Sequence, residues 1–220
     1  MAEGGRLPAE SLSPIAERVD EILALYHYEL TPTIEAINDV VPGYGGLFDS
    51  GTSINVLRSA LDNVLQEGPS PRPFEHLQDA TDPEIVVYVD GSSRGNPGPA
   101  GAGAVVQIDD TAVMKLGRPV GSHTDNNLAE YAALQLGLNA VHSQCSPSTV
   151  EVRIDSMTVI NDTWRGQECI PAYEPYSDAI SDLLSRFPAH HWTHLADSDP
   201  NPADAYATVG ADIAALGPGG

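Results

Sequence analysis

Basic residues are scarce in this chain of 220 residues. It has one lysine, Lys115, and nine arginines against 31 aspartates and glutamates, which gives a formal net charge of −21. Proteins that bind nucleic acids through their phosphates usually carry a basic surface, and so do modules that lie on membranes. Composition alone therefore argues against both classes.

Long apolar runs and paired cysteines are missing as well. No stretch of about 18 apolar residues is present, so no transmembrane helix is expected. The first ten residues have neither the basic start nor the apolar stretch of a signal peptide. Cys145 and Cys169 are not spaced as metal ligands, and we expect both thiols to be reduced. Together these features predict a cytoplasmic protein without a membrane partner.

The excess of acid is spread along the chain. Residues 1–83 carry a net charge of −10 and residues 84–220 carry −11. At about 1 M salt the Debye length is about 3 Å, so an acidic surface repels itself little while its carboxylates hold water and ions. The pattern predicts a protein of a halophile's cytoplasm, and an acidic mesophilic protein is the alternative.

The chain divides into a helical segment (1–67), a linker (68–83) and a larger domain (84–220). Apolar residues recur at helical spacing after Ser13-Pro14, after Thr31-Pro32 and between Thr52 and Glu67. The linker is rich in proline. Four roles stay open for the helical segment: docking on the larger domain, self-association, binding of a protein partner, or stabilisation alone.

The larger domain is predicted to be an α/β fold with the element order βββαβααβα. Short runs rich in β-branched residues indicate strands, and apolar residues at helical spacing indicate helices. The predicted strands are Ile85–Val89, Gly101–Ile108, Thr111–Val120, Val150–Ile154 and His190–Leu195, and the predicted helices are Asn127–His142, Ser156–Trp164, Tyr176–Phe187 and Pro202–Leu216.

Four carboxylates occupy positions that favour chemistry. Asp90 and Asp155 close the first and fourth strands, Glu130 lies one turn into a helix, and Asp204 lies near the start of the last helix. Carboxyl ends of neighbouring parallel strands meet, which would bring Asp90 and Asp155 together. Crowded carboxylates repel each other unless a cation is bound, and Mg²⁺ prefers oxygen ligands. Two such ions can promote phosphodiester cleavage.

Four motifs in this domain resemble those of type 1 ribonuclease H. In chain order they are YVDGSSRGNPGPAG at Tyr88–Gly101, TDNNLAEYAAL at Thr124–Leu134, Ile154-Asp155-Ser156, and His194 followed ten residues later by Asp204. The resemblance implies a five-stranded mixed sheet flanked by helices, and the acidic composition suggests a halophilic archaeon as the source.

The resemblance also implies an activity, which is cleavage of the RNA strand of an RNA/DNA hybrid to 5′-phosphate and 3′-hydroxyl ends. Two Mg²⁺ ions, or Mn²⁺, would be held by the four carboxylates Asp90, Glu130, Asp155 and Asp204. His194 would be the family's mobile-loop histidine, which assists proton transfer or product release. The residues expected to contact the hybrid are Gly91, Ser92, Arg94, Asn96, Asn126 and Asn127.

Some positions depart from the family pattern. Asp125 stands where a threonine is common near a phosphate, so its charge would repel the nucleic-acid backbone. Met157 stands at an often polar position. Asn201 lies three residues before Asp204, whereas some relatives have an asparagine four residues before. The basic protrusion of longer relatives has no counterpart between Asp155 and His194.

Two other functions are weighed against the hybrid nuclease. One is a non-catalytic module that binds hybrids or junctions, and the complete set of four carboxylates argues against it. The other is a resolvase or integrase that acts on DNA within the same superfamily. The Asp-Gly-Ser and Asn-Asn-x-x-Glu motifs favour the hybrid nuclease.

Overall fold

Five strands form one mixed sheet in the computed structural model, which describes residues 7–43, 45–69, 84–145, 147–165, 170–196 and 198–217. The strands are β1 (Ile85–Ser93), β2 (Gly98–Ile108), β3 (Thr111–Thr124), β4 (Thr149–Ile154) and β5 (Ala189–His194). Their order across the sheet is β3-β2-β1-β4-β5. Strand β1 pairs antiparallel with β2 and parallel with β4, which confirms the predicted mixed sheet.

Helices pack around this sheet and precede it. They are α1 (Pro14–Leu25), α2 (Leu30–Val40), α3 (Ile54–Glu67), α4 (Asn126–Gln144), α5 (Met157–Val159), α6 (Glu174–Leu184) and α7 (Asp204–Ala214). The order βββαβααβα from residue 84 onward is confirmed. None of the helices that the structure describes is long and apolar enough to cross a membrane.

Several predicted boundaries were wrong. Strand β2 begins at Gly98 and β3 runs on to Thr124, because these two residues pair with each other across the strands. The single helix predicted from Ser156 is a short α5 followed by a π-helical segment, Ile160–Trp164. The backbone N–H of Arg165 donates to the carbonyl of Ile160 at 3.1 Å, a hydrogen bond over five residues.

Helix α7 lies directly on β2 at Gly101 and Gly103. A Cβ atom on Gly103 would lie 2.4 Å from both the Ala203 carbonyl oxygen and the Ala207 nitrogen. The next residue, Ala104, faces α4 on the other side of the sheet, as the alternation of a strand requires. The contact between the two backbones fixes where α7 begins.

The N-terminal segment docks on the free edge of β3. The backbone N–H of Glu10 donates to Val120 at 2.7 Å, and that of Gly117 donates to Tyr28 at 3.0 Å. An exposed edge strand is a template for pairing with other chains, and this segment covers it. Beyond α7, the hydroxyl of Ser13 donates to the carbonyl of Leu216. Most of the predicted linker, residues 70–83, lies outside the described residues.

A buried arginine joins the segment to the sheet. The guanidinium of Arg118 on β3 is fully buried, and it donates to the carbonyls of Leu7 and Pro8 at 3.1 and 2.7 Å. Its charge is balanced by the buried Asp20 on α1 at 3.8 Å, and it lies over the ring of Tyr28. Residues of both segments form one hydrophobic core.

Candidate active site

Three carboxylates converge beside the centre of the sheet. Ligand oxygens of Asp90, Glu130 and Asp155 all lie within 4.8 Å of one another. Asp90 is on β1 and Asp155 directly follows β4, its parallel neighbour, while Glu130 is on α4. Asp90 does not close its strand as predicted, because pairing with β2 extends β1 to Ser93. Asp90 and Glu130 are buried, whereas Asp155 is exposed.

The fourth predicted carboxylate joins this group. Asp204 is the first residue of α7, and its carboxyl group lies close enough to Asp90 to raise the pKa of that group. Burial, together with the charges of Asp155 and Asp204, raises the pKa of Asp90 to about 7. Burial also raises the pKa of Glu130 well above its usual range, with the charges of Asp90 and Asp155 adding to it. The fold therefore holds together four groups that repel one another when ionised.

A hard divalent cation fits this donor set. All the donors are carboxylate oxygens, the ligands that Mg²⁺ and Mn²⁺ prefer. The Oε2 atom of Glu130 is buried and has no hydrogen-bond partner among the described residues. An orphaned buried oxygen facing other carboxylates is destabilising without a cation.

Glu130 is fixed from two sides. The Asn126 side-chain amide donates to its Oε1 at 3.3 Å on one side, and the backbone of Gly91 packs against Glu130 on the other. A Cβ atom on Gly91 would lie 2.5 Å from the Glu130 backbone nitrogen. Gly91 thus allows β1 to approach α4 at the residue that carries the carboxylate, and Asn126 faces this carboxylate.

The start of α4 is held by a tyrosine that sequence reasoning missed. Asp125 caps the helix by accepting from the Leu128 N–H at 2.9 Å, and the same oxygen accepts from the Tyr173 hydroxyl at 3.1 Å. The Asn127 amide in turn donates to the Tyr173 hydroxyl at 3.4 Å. The carboxylate predicted to repel a phosphate is therefore directed at the positive end of the helix dipole. No periodicity or motif marks Tyr173.

Two more of the expected hybrid-contacting side chains, both exposed, also have partners within the protein. Arg94 forms an ion pair with Asp212 on α7. The Asn96 side-chain oxygen accepts from the backbone N–H of Asn126 at 3.2 Å, which ties the β1–β2 connection to the start of α4. Ser92 lies on β1, half-buried. Together with Asn127 these residues lie around the start of α4 and the end of β1.

His194 lies on β5, inside the strand predicted from His190 to Leu195, and its role as the family's mobile-loop histidine stays a prediction. It is the last residue of β5 and pairs with Ile154, so its ring lies next to Asp155. The distance from its Nε2 to the Asp155 carbonyl oxygen is 3.1 Å. The side chain is exposed and adjoins the carboxylate group.

Comparisons with known proteins agree with this geometry. A family model described as "Reverse transcriptase-like" matches residues 88–210, more than half of the chain. A protein of Halobacterium salinarum named "Ribonuclease HI" is 30% identical over 157 residues, which are 70% of this chain and 77% of that protein. The chain belongs to the ribonuclease H family.

Solved structures of ribonuclease H proteins show the same fold. The N-terminal RNase H domain of Rv2228c from Mycobacterium tuberculosis is 31% identical with a TM-score of 0.56, over 60% of this chain and 96% of that one. LC11-RNase H1, solved in complex with an RNA/DNA hybrid, is 27% identical with a TM-score of 0.54, over 59% of this chain and 97% of that one. The sheet order and the flanking helices described above are therefore those of the ribonuclease H fold.

Proposed function

We propose that this protein is an endonuclease that hydrolyses the RNA strand of RNA/DNA hybrids with two divalent ions, Mg²⁺ or Mn²⁺. The products would be 5′-phosphate and 3′-hydroxyl ends. The observation that carries the proposal is the convergence of Asp90, Glu130 and Asp155 within 4.8 Å in a chain of the ribonuclease H family. The hybrid bound to LC11-RNase H1 supports the choice of substrate.

Each carboxylate has a role in this proposal. Asp90 and Asp155 would hold both ions, with Glu130 on one and Asp204 on the other. When bound, such ions activate water and stabilise the leaving oxygen. His194 lies beside Asp155 and is exposed, so its imidazole is in place to exchange a proton with solvent near the reacting phosphate.

Recognition of the hybrid would use the polar groups around the start of α4. Only RNA offers a 2′-hydroxyl in the wide minor groove, and a carbonyl oxygen can accept from it. The Asn127 amide nitrogen donates to Tyr173, which leaves its carbonyl oxygen as the acceptor for substrate. The other proposed contacts are Gly91, Ser92, Arg94, Asn96 and Asn126.

The acidic coat fits work in concentrated salt, which we propose as the native condition. Phosphate contacts made by basic residues weaken as salt rises, because counterions released into a more concentrated salt solution gain less entropy. This protein has ten basic residues in 220, so its affinity for a nucleic acid depends little on such contacts. Metal ions held by the four carboxylates would supply the attraction for the phosphate.

The N-terminal segment is proposed to stabilise the catalytic domain, because it covers β3 and buries Arg118. A protein partner or a second copy would meet a surface that includes exposed Phe48, Ile54 and Val56.

Cleavage of strand-labelled duplexes tests the activity. With wild-type protein and Mg²⁺, we expect cuts in the RNA strand of a hybrid and none in the DNA strand. The Asp90→Asn variant should lose cleavage, whereas Asp178→Asn, an exposed carboxylate on α6, should keep it. Cuts in DNA would indicate a resolvase-type enzyme, and hybrid binding without cleavage by wild-type protein would indicate a binding module.

A further inference from the structure

The segment between β5 and α7 is attached to β1 by one side chain. The Nδ2 of Asn201 donates to the Val89 carbonyl at 2.9 Å, and its Oδ1 accepts from the Ala203 N–H at 3.1 Å. Both polar ends of the amide are therefore engaged. Val89 and Ala203 are fully buried, so these hydrogen bonds are shielded from water.

This side chain connects two of the proposed metal ligands. Val89 immediately precedes Asp90, and the backbone N–H of Asp204 donates to the Asn201 carbonyl at 3.2 Å. The two carboxyl groups lie close enough for the charge of Asp204 to raise the pKa of Asp90. Asn201 thus provides a short path of hydrogen bonds between the backbone positions that present the two carboxylates.

Helix α7 needs such an attachment at its first turn. Its N-cap residue is Ala203, which has no side chain able to cap the helix. The glycine contact with β2 sets the height of the helix over the sheet, but it leaves the exposed Asp204 side chain without support from β2. Asn201 instead binds the two residues at which the helix begins, through its Oδ1 to the Ala203 N–H and through its backbone carbonyl to the Asp204 N–H.

We propose that Asn201 is a positioning residue: it holds Asp204 beside Asp90 and thereby sets the affinity for the divalent ion that this pair binds. The inference rests on the proposed metal-dependent function. Hydrogen bonds that orient metal ligands typically account for 10- to 100-fold in metal affinity. Asn201 has no contact with substrate in this proposal.

Binding of Mn²⁺ to the free protein, followed by calorimetry and electron paramagnetic resonance, tests the inference without any turnover. We expect Asn201→Ala to weaken Mn²⁺ binding about 10-fold. Asn201→Ser keeps a short acceptor for the Ala203 N–H but cannot reach Val89, so we expect it to fold and to weaken Mn²⁺ binding similarly. Asn63→Ala, at an exposed asparagine on α3, serves as the control and should bind as wild type does.

A double-mutant cycle separates positioning from general loss of structure. If Asn201 acts through Asp204, then Asn201→Ala should cause no further loss of Mn²⁺ affinity in an Asp204→Asn background. Equal losses in both backgrounds would overturn the inference, as would wild-type Mn²⁺ binding by both Asn201 variants.

Hybrid cleavage adds a second readout. Asn201→Ala should lower kcat at limiting Mg²⁺ and leave the KM for hybrid unchanged, and excess Mg²⁺ should restore turnover. If wild-type protein cleaves no hybrid at all, the proposed nuclease activity fails, and the Mn²⁺ measurements still decide the role of Asn201.

Discussion

The hydroxyl of Tyr173 donates to the Asp125 carboxylate at 3.1 Å and accepts from the Asn127 amide at 3.4 Å. The Tyr173 ring also packs on Tyr131, with ring centres 5.2 Å apart. One buried side chain thus joins the cap of α4 to a residue proposed to contact the hybrid.

Tyr173→Phe should raise the KM for hybrid several-fold and leave kcat nearly unchanged. The phenylalanine keeps the ring packing on Tyr131 but leaves the Asn127 amide without its acceptor, so that side chain becomes free to rotate. Steady-state kinetics on a labelled hybrid measure the effect. Tyr26→Phe, on a tyrosine at the end of α1, is the control; a wild-type KM for Tyr173→Phe would show that Asn127 needs no such support.

The metal-free protein should lose stability as the pH rises from about 4 to about 7. The pKa of Asp90 is about 7 in the folded protein against an ordinary value of 3.8, so its proton is bound more tightly in the folded state. Stability is therefore full below the ordinary pKa and falls until the folded group ionises, by about 4 kcal/mol for three pKa units. Urea unfolding with a chelator measures the decline.

Two changes should flatten that pH dependence. Asp90→Asn removes the ionising group, and saturating Mg²⁺ screens the carboxylates when they are ionised. Asp178→Asn should leave the slope as in wild type. If the stability of the metal-free protein rose across this pH range, the claim that buried, crowded carboxylates raise the pKa of Asp90 would be wrong.

Asp20→Asn should destabilise the protein by about 3 kcal/mol, because it leaves the buried Arg118 guanidinium without its carboxylate. Asp62→Asn removes the partner of Arg18 in an ion pair on the surface, and such pairs contribute at most about 1 kcal/mol. Denaturant unfolding of the two variants compares a buried with an exposed pair. Equal losses would mean that water reaches Arg118.

Gly103→Ala should displace α7 and cost about 1–3 kcal/mol or more, because its Cβ would meet backbone atoms of Ala203 and Ala207 at 2.4 Å. Since Asp204 begins that helix, Mn²⁺ binding should weaken as well. Gly51→Ala, whose nearest neighbour is the exposed Asp49 side chain, should have little effect. If the Gly103→Ala protein folds and binds Mn²⁺ as wild type does, the contact between α7 and β2 does not control the metal site.

Cleavage activity should persist in multimolar KCl. A nuclease that relies on many basic contacts loses affinity steeply with salt, whereas this chain offers few such contacts. Measuring the KM for hybrid from 0.1 to about 3 M KCl gives the salt slope. Collapse of activity above about 0.5 M would argue against adaptation to concentrated salt.

Local sequence patterns predicted the elements and their order, and the end of β4 located Asp155, whereas Asp90 lies within β1. They did not predict the extension of β2 to Gly98 or of β3 to Thr124, because these two residues are in strands only by pairing with each other. The π-helical segment after α5 was missed for a similar reason, because propensity does not distinguish a hydrogen bond over five residues from one over four.

The supporting residues of the site were harder to predict than the carboxylates. From the sequence alone, Asp125 is predicted to repel the nucleic-acid substrate. The structure shows that Tyr173, 48 residues later, donates a hydrogen bond to this carboxylate. An arginine on an edge strand is ordinarily exposed, but the N-terminal segment covers Arg118. In each case the partner is distant in sequence and carries no motif.

The contact between Ser13 and Leu216 spans 203 residues, so it forms only after both α1 and α7 have been synthesised. During synthesis, α1 leaves the ribosome long before β3 and α7 exist to receive it. Until then, the apolar face of α1, which includes Val19 and Ile22, is either exposed to solvent or packed against α2 and α3. We therefore expect slow folding, typical of long-range contacts, and a dependence on chaperones that a shorter ribonuclease H would not share.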